Sequence, residues 1–245
     1  MGQFSMKNKL VVLTGASSGF GAEVARALSN RGYCLALLAR RIDKLHAMNL
    51  ANSLCFEVDV TCREQVFHAI RKAEEKFGDV DCIINNAGVM LLSELEYQNH
   101  DEWNRMIDTN IKGVINGMQA VLPSMRERKT GTIINISSLA GQKTYQYHAA
   151  YCATKFAVHG LSDSVRWEVA PDNVRVITIS PGAAETELIS HISDDFVKND
   201  YIEWKESIGG VISAKNVIDS IIFSYELPQS VCVRDLKIAP TRQQN

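Results

Sequence analysis

Short, unbroken apolar runs recur along this chain with longer amphipathic stretches between them, and that alternation restricts its fold more than any other feature. The runs are residues 9–14 (KLVVLT), 34–39 (CLALLA), 81–85 (DCIIN), 132–136 (TIINI) and 174–180 (VRVITIS). Each is continuously apolar rather than alternating, as a parallel strand covered by helices on both faces must be. Residues 54–58 read as a further strand and residues 235–239 as an edge strand that closes the sheet. Between the runs, Val66, Ile70, Ala73 and Phe77 recur at helical spacing, with Gly78 as a stop. Residues 102–128 carry a long helical segment with Trp103, Met106, Ile107 and Ile111, and residues 149–169 carry another. Repetition of strand, helix and strand predicts an α/β fold, a doubly wound parallel sheet of about seven strands in three α/β/α layers. No linker, repeat or low-complexity stretch interrupts the pattern, so residues 1–245 read as a single domain.

Charge and cysteine usage exclude several function classes. A net charge of −2 lacks the basic footprint of a nucleic-acid binder. The six cysteines are scattered with no C-x-x-C pair, which argues against a disulfide framework or a zinc site, and no metal is expected. The opening Met-Gly-Gln-Phe-Ser-Met places Met6 where a myristoylation signal needs Ser or Thr. With no signal peptide and no apolar stretch long enough to span a bilayer, a cytoplasmic protein without membrane partners is expected.

Three constellations carry chemistry. The first, Thr14-Gly15-Ala16-Ser17-Ser18-Gly19-Phe20-Gly21, follows the first strand and opens the first helix. Glycines there tighten the turn and let backbone approach a pyrophosphate, which rests on N–H groups at the helix N-terminus, as in Rossmann-type dinucleotide folds. The second is Arg40-Arg41 at the end of the second strand, where an NAD-binding chain usually places a carboxylate for the ribose 2′-OH. A guanidinium fits a 2′-phosphate bidentately, so NADP(H) is expected, the competing reading being a solvated basic pair. The third is Tyr151 and Lys155, four apart and on one helix face. A nearby cation favours phenolate, although reaching neutrality from a pKa of about 10 means a fall of roughly 3 pH units, or about 4 kcal/mol. So tuned, the tyrosine would give a proton to a carbonyl oxygen or take one from an alcohol. Ser137-Ser138 and Asn85-Asn86-Ala87-Gly88 also follow strands, at the sheet edge where open α/β proteins bind ligands.

Together these residues resemble the short-chain dehydrogenase/reductase family in its compact branch. The resemblance spans essentially the whole chain and rests on TGASSGFG at 14–21, NNAG at 85–88, Asn110, Ser138, YCATK at 151–155 and PGAAET at 181–186. It implies an NADP(H)-dependent oxidoreductase interconverting a carbonyl and an alcohol, with Tyr151 as general acid/base. Lys155 would lower its pKa and hold the nicotinamide ribose, Ser138 would hydrogen-bond the substrate oxygen, and Asn110, interrupting the long helix before Ile111-Lys112-Gly113, would fix a water linking Lys155 to solvent. Cofactor contacts implied are Gly15, Ser17, Ser18, Gly19, Phe20 and Gly21 at the phosphates, Arg40 and Arg41 at the 2′-phosphate, and Asp59 and Val60 at the adenine. Asn86, Ala87 and Gly88 complete that set on one side, and Pro181, Gly182 and Thr186 surround the nicotinamide. NAGVMLL at 86–92 and WNRMIDTNIKG at 103–113 are most similar to bacterial clavulanate-aldehyde and 3-hydroxy acid (serine) dehydrogenases. The resemblance also implies a homodimer or homotetramer through the helices near 106–125 and after Tyr151.

Departures from the family pattern are Phe20 between the last two glycines, a short stretch before the third strand that requires a brief second helix, and the small pair Ala183-Ala184. The resemblance places residues 142–148 at the substrate mouth, with His148 either a loop histidine facing solvent or a second titrating group for a substrate carboxylate. Residues 185–210, rich in charge and ending in Gly209-Gly210, read as a lid, with Trp204 as its anchor or, alternatively, a platform for substrate. An NADPH-binding sensor without turnover is the alternative function, and an epimerase or dehydratase would call for a longer chain.

Overall fold

The computed structural model describes residues 8–185 and 187–244. Seven strands form one sheet: β1 (Leu10–Thr14), β2 (Cys34–Ala39), β3 (Ser53–Glu57), β4 (Val80–Asn85), β5 (Gly131–Ile136), β6 (Val174–Pro181) and β7 (Asp235–Ile238). Their order is β3-β2-β1-β4-β5-β6-β7, and every neighbouring pair is parallel. The helices are α1 (Gly19–Ser29), α2 (Ile42–Ala47), α3 (Arg63–Phe77), α4 (His100–Ile107), α5 (Gly113–Arg128), α6 (Ala149–Val169), α7 (Asp195–Ser207) and α8 (Ala214–Glu226).

Strand alternation divides the core in two. Val11 and Leu13 of β1 pack with Val24 and Leu28 of α1 and with Val217 and Ile221 of α8 on one face. Leu10 and Val12 point the other way, onto Val66 and Ile70 of α3, Met118 of α5 and Val165 of α6. Each such side chain, fully buried, stabilises the fold by about 1.5–3 kcal/mol. This is the three-layer, doubly wound architecture that the apolar runs require. The strand order reverses between β1 and β4, which opens a crevice at their carboxyl ends.

Two local features refine the sequence reading. Helix α3 stops at Gly78, whose φ of 84° lets its N–H reach the Glu74 carbonyl. Residues 102–128 divide into the end of α4, a π-helical turn over Asp108–Lys112 that holds Asn110, where the resemblance placed an interruption, and α5. The brief second helix is six residues long, with Asp43 in its first turn.

Candidate functional site

The crevice holds a cavity of about 560 Å³ that runs from the end of β2 to α7. Its first wall is the loop between β1 and α1. Gly15 turns at φ 65°, and a Cβ there would lie 2.8 Å from the Ala87 Cα, so the two loops meet only because this residue lacks a side chain. At Gly21 a Cβ would fall 2.2 Å from the Gly15 carbonyl oxygen. Gly19, at φ 50°, has open space where its Cβ would be, and α1 begins there with no acidic residue in its first turn. That bare, positively polarised helix start suits a pyrophosphate. The cradle fits the phosphates of a dinucleotide.

Around the cradle, side chains set the loop positions. Arg41 donates from Nε to Ser17 Oγ at 3.3 Å and from Nη2 to Ser18 Oγ at 2.6 Å. Arg40 lines the cavity, is exposed, and has no carboxylate partner among the described residues. Asp59 accepts from the Thr61 N–H and hydroxyl at 2.9 and 2.8 Å, and Val60 stands beside it on the cavity wall. Thr14 Oγ1 accepts from the N–H groups of Asn86 and Ala87 at 3.0 and 3.1 Å. Asn86 Nδ2 returns to the Thr14 carbonyl at 3.0 Å, which locks the β1 and β4 ends together.

Tyr151 and Lys155 lie in the first two turns of α6, 6% exposed each, and both face the cavity beside Ser138. Ser138 hydrogen-bonds the Tyr151 hydroxyl and also caps a short 3-10 turn by accepting from the Ala140 N–H at 3.1 Å. Lys155 Nζ donates to the Ile136 carbonyl at 3.0 Å and lies 5.7 Å from the Tyr151 ring centroid. Burial holds Lys155 down at a pKa of about 8. Burial pushes the Tyr151 phenol well above its ordinary value, the neighbouring Tyr201 adds to the rise, and the Ser138 hydrogen bond opposes it. The expected lowering of Tyr151 by Lys155 is therefore not met by the protein's own groups, because the ammonium is turned to the Ile136 carbonyl and desolvation of the phenolate dominates.

Asn110 sits in the π-helical turn, 1% exposed, behind the wall rather than on it. Its Oδ1 accepts from the Val89 N–H at 2.9 Å, while Nδ2 donates to the Val89 carbonyl at 2.9 Å and to Thr154 Oγ1 at 3.1 Å. The amide thus ties the loop after β4 to α6. Pro181, Gly182, Ala183 and Ala184 line the cavity at the end of β6. Thr186 lies outside the described residues.

The segment beyond Ala184 leaves and rejoins the fold at one place. Ile212 donates to the Ala183 carbonyl and accepts from the Glu185 N–H, both at 3.0 Å. Between these points come a 3-10 turn, Glu187–His191, and α7. Trp204 packs its ring on Tyr145 and Tyr201 and also lines the cavity, so it is at once an anchor and part of the wall. Of the two readings of His148, the solvent-facing one is not met. The residue is half-buried on the cavity wall, 5.8 Å from the Tyr201 ring and 6.2 Å from that of Tyr151, and burial lowers its pKa.

A family model for the short chain dehydrogenases matches residues 9–196. The chain belongs to the short-chain dehydrogenase family. It is 41% identical to an uncharacterized oxidoreductase of Staphylococcus saprophyticus, over 98% of both chains. It is 35% identical to a glycine betaine reductase of Emericella nidulans, over 96% of this chain and 19% of that protein. The solved closed form of a serine dehydrogenase complexed with NADP+ superposes with a TM-score of 0.88, at 29% identity over 96% of each chain. As a short-chain dehydrogenase the chain is an oxidoreductase acting on small molecules.

Several residues of this dehydrogenase site escaped the sequence reading. Gln243 reaches back from the C-terminal region to accept from the Ala183 N–H at 2.8 Å and to bond Tyr145. Behind Ser138, His159 Nε2 lies 3.3 Å from Ser180 Oγ, which donates to Asp235 at 3.1 Å. Among the described residues no helix is long and apolar enough to cross a membrane, no cluster suits a metal, and no cysteines are joined.

Proposed function

We propose that this dehydrogenase uses NADP(H) to interconvert a carbonyl and an alcohol, working chiefly as a reductase. The observation that carries the reading is a buried tyrosine, hydrogen-bonded to Ser138, at the inner end of a cavity whose outer end is a bare helix N-terminus and two exposed arginines. When bound, the nicotinamide supplies or takes the hydride. The chain's own residues do the rest. Ser138 orients the substrate oxygen toward Tyr151. Because burial keeps the phenol protonated near neutrality, Tyr151 stands ready as an acid, and it donates its proton as negative charge develops on the oxygen. Lys155, still cationic at pH 7 with a pKa of about 8, steadies the phenolate that forms. Asn110 holds the loop after β4, the π-helical turn and α6 in register so that these groups stay aligned.

Arg40 is the group best placed for a 2′-phosphate, since it is exposed at the cavity wall and unpaired, whereas Arg41 is engaged with Ser17 and Ser18. The segment 185–210 acts as a lid hinged at its paired base, Ala183–Glu185 against Ile212. The chain works as one domain in the cytoplasm. Glycine betaine, named for one relative, carries a quaternary ammonium group, and that name supports a search among charged substrates.

The Tyr151→Phe variant tests the mechanism. It removes the proton donor and leaves the cradle, so NADPH should bind within about twofold of wild type while turnover falls by roughly 10²–10⁴-fold. A Phe variant with wild-type turnover would refute the assignment.

A further inference from the structure

Four aromatic rings close a circuit next to the reacting tyrosine. Tyr145 and His148 come from the loop before α6, and Tyr201 and Trp204 from one face of α7, three residues apart. Ring centroids stand 5.6 Å apart for Tyr145–His148, 5.8 Å for His148–Tyr201, 5.4 Å for Tyr201–Trp204 and 6.3 Å for Trp204–Tyr145. All four border the cavity, and so does the carboxylate-bearing Asp200, beside Tyr201. The His148 ring stands 6.2 Å from that of Tyr151, so the aromatic wall runs up to the reacting residue.

The charges on this side of the cavity are as telling as the rings. Its two arginines, Arg40 and Arg41, follow β2, three strands across the sheet from the β5 end that carries Ser138. Lys155 is committed to the Ile136 carbonyl, and His148 is kept neutral by burial. Lys205 Nζ, 5.7 Å from the Tyr201 centroid, does not line the cavity, but its position shows that a face of this ring accepts a cation. A substrate carboxylate would meet electron-rich rings and Asp200 with no guanidinium to receive it. A cation would find attraction from both. Quaternary ammonium groups are the cations best suited to such a wall, because they donate no hydrogen bonds that burial would leave unmade.

We propose that this wall selects a short carbonyl compound bearing an alkylammonium group, quaternary in the best case, with Tyr145, Tyr201 and Trp204 as the specificity-determining residues. The inference deepens the reductase reading and rests on it. The substrate is an aldehyde or ketone whose carbon receives a hydride from NADPH and whose oxygen receives the Tyr151 proton. The products are the ammonium alcohol and NADP+, and solvent restores the proton to Tyr151.

An isosteric pair isolates the charge. Calorimetric titration of the NADPH complex with 2-(trimethylammonio)ethanol and with its neutral counterpart 3,3-dimethylbutan-1-ol measures binding, and NADPH oxidation by the two corresponding aldehydes measures turnover. The cationic member should be favoured at least tenfold in both. Tyr201→Leu and Trp204→Leu should each shrink that preference to within about threefold while leaving NADPH affinity unchanged. Equal binding of the pair, or a preference that survives both leucine variants, overturns the aromatic site. Preferential cation binding with no NADPH oxidation by either aldehyde would instead leave the site standing and sink the reductase reading.

Discussion

Lys155 shows how a single residue can oppose stability in the service of the site. It is held at a pKa of about 8 by burial alone, so the protein without cofactor carries an ammonium in a place that penalises charge. Its folded pKa lies below the unfolded value of 10.5, so between those two values the unfolded chain binds more protons and stability rises with pH. Below pH 8 the penalty is present in full. Keeping the charge costs roughly 3 kcal/mol, and losing the bond to the Ile136 carbonyl would cost about 1 kcal/mol. Lys155→Met should therefore make the cofactor-free protein about 1–2 kcal/mol more stable at pH 7 and flatten the rise between pH 8 and 10, as read from urea unfolding. The same variant should lose turnover by at least about a hundredfold. A variant less stable than wild type at pH 7 would show that Lys155 is buried in a better-compensated environment than these contacts indicate.

At the scale of elements, the glycine loop and the π-helical turn do the positioning. Gly21→Ala places a methyl group 2.2 Å from the Gly15 carbonyl, which must open the loop, whereas Gly19→Ala meets no neighbour and suffers only the strain of φ 50°. NADPH affinity should fall at least tenfold for Gly21→Ala, with a loss of about 1–3 kcal/mol in stability. Gly19→Ala should lose about 1 kcal/mol through backbone strain. Parallel titrations and melts of the two variants separate these effects. The loop was legible in the sequence because its glycines sit at fixed spacing between an apolar run and a helix, and Tyr151 and Lys155 were legible because one helical turn separates them. The interruption at Asn110 came only with the family resemblance, and its π-helical form not at all, since one extra residue per turn leaves the apolar spacing of 102–128 nearly unbroken. Gln243 and Tyr201 were hidden for a different reason. They join the site from segments remote in sequence, with sixty positions between Ala183 and Gln243, and no local pattern records such a contact.

For the whole molecule, α6 presents an apolar outer face that the fold itself does not cover. Phe156 is 43% and Trp167 82% exposed, with the small Gly160 between them on the same face. We propose that this face, with α5, pairs two copies of the chain into a dimer or tetramer. Sedimentation should find an oligomer for wild type and a shift toward monomer for a Phe156→Glu, Trp167→Glu double variant, and a monomeric wild type would contradict the pairing. The architecture that brings the cavity together was readable from the order of apolar runs, because parallel strands with alternating helices leave one crevice where the strand order reverses. One titration decides what enters that crevice. Protein fluorescence followed against NADPH and NADH, for wild type and Arg40→Ala, should show NADPH bound at least tenfold more tightly than NADH. In Arg40→Ala that preference should be largely lost and NADH affinity little changed. Equal weakening of both cofactors would remove Arg40 from the 2′-phosphate, and the absence of saturable binding by either would contradict the account as a whole.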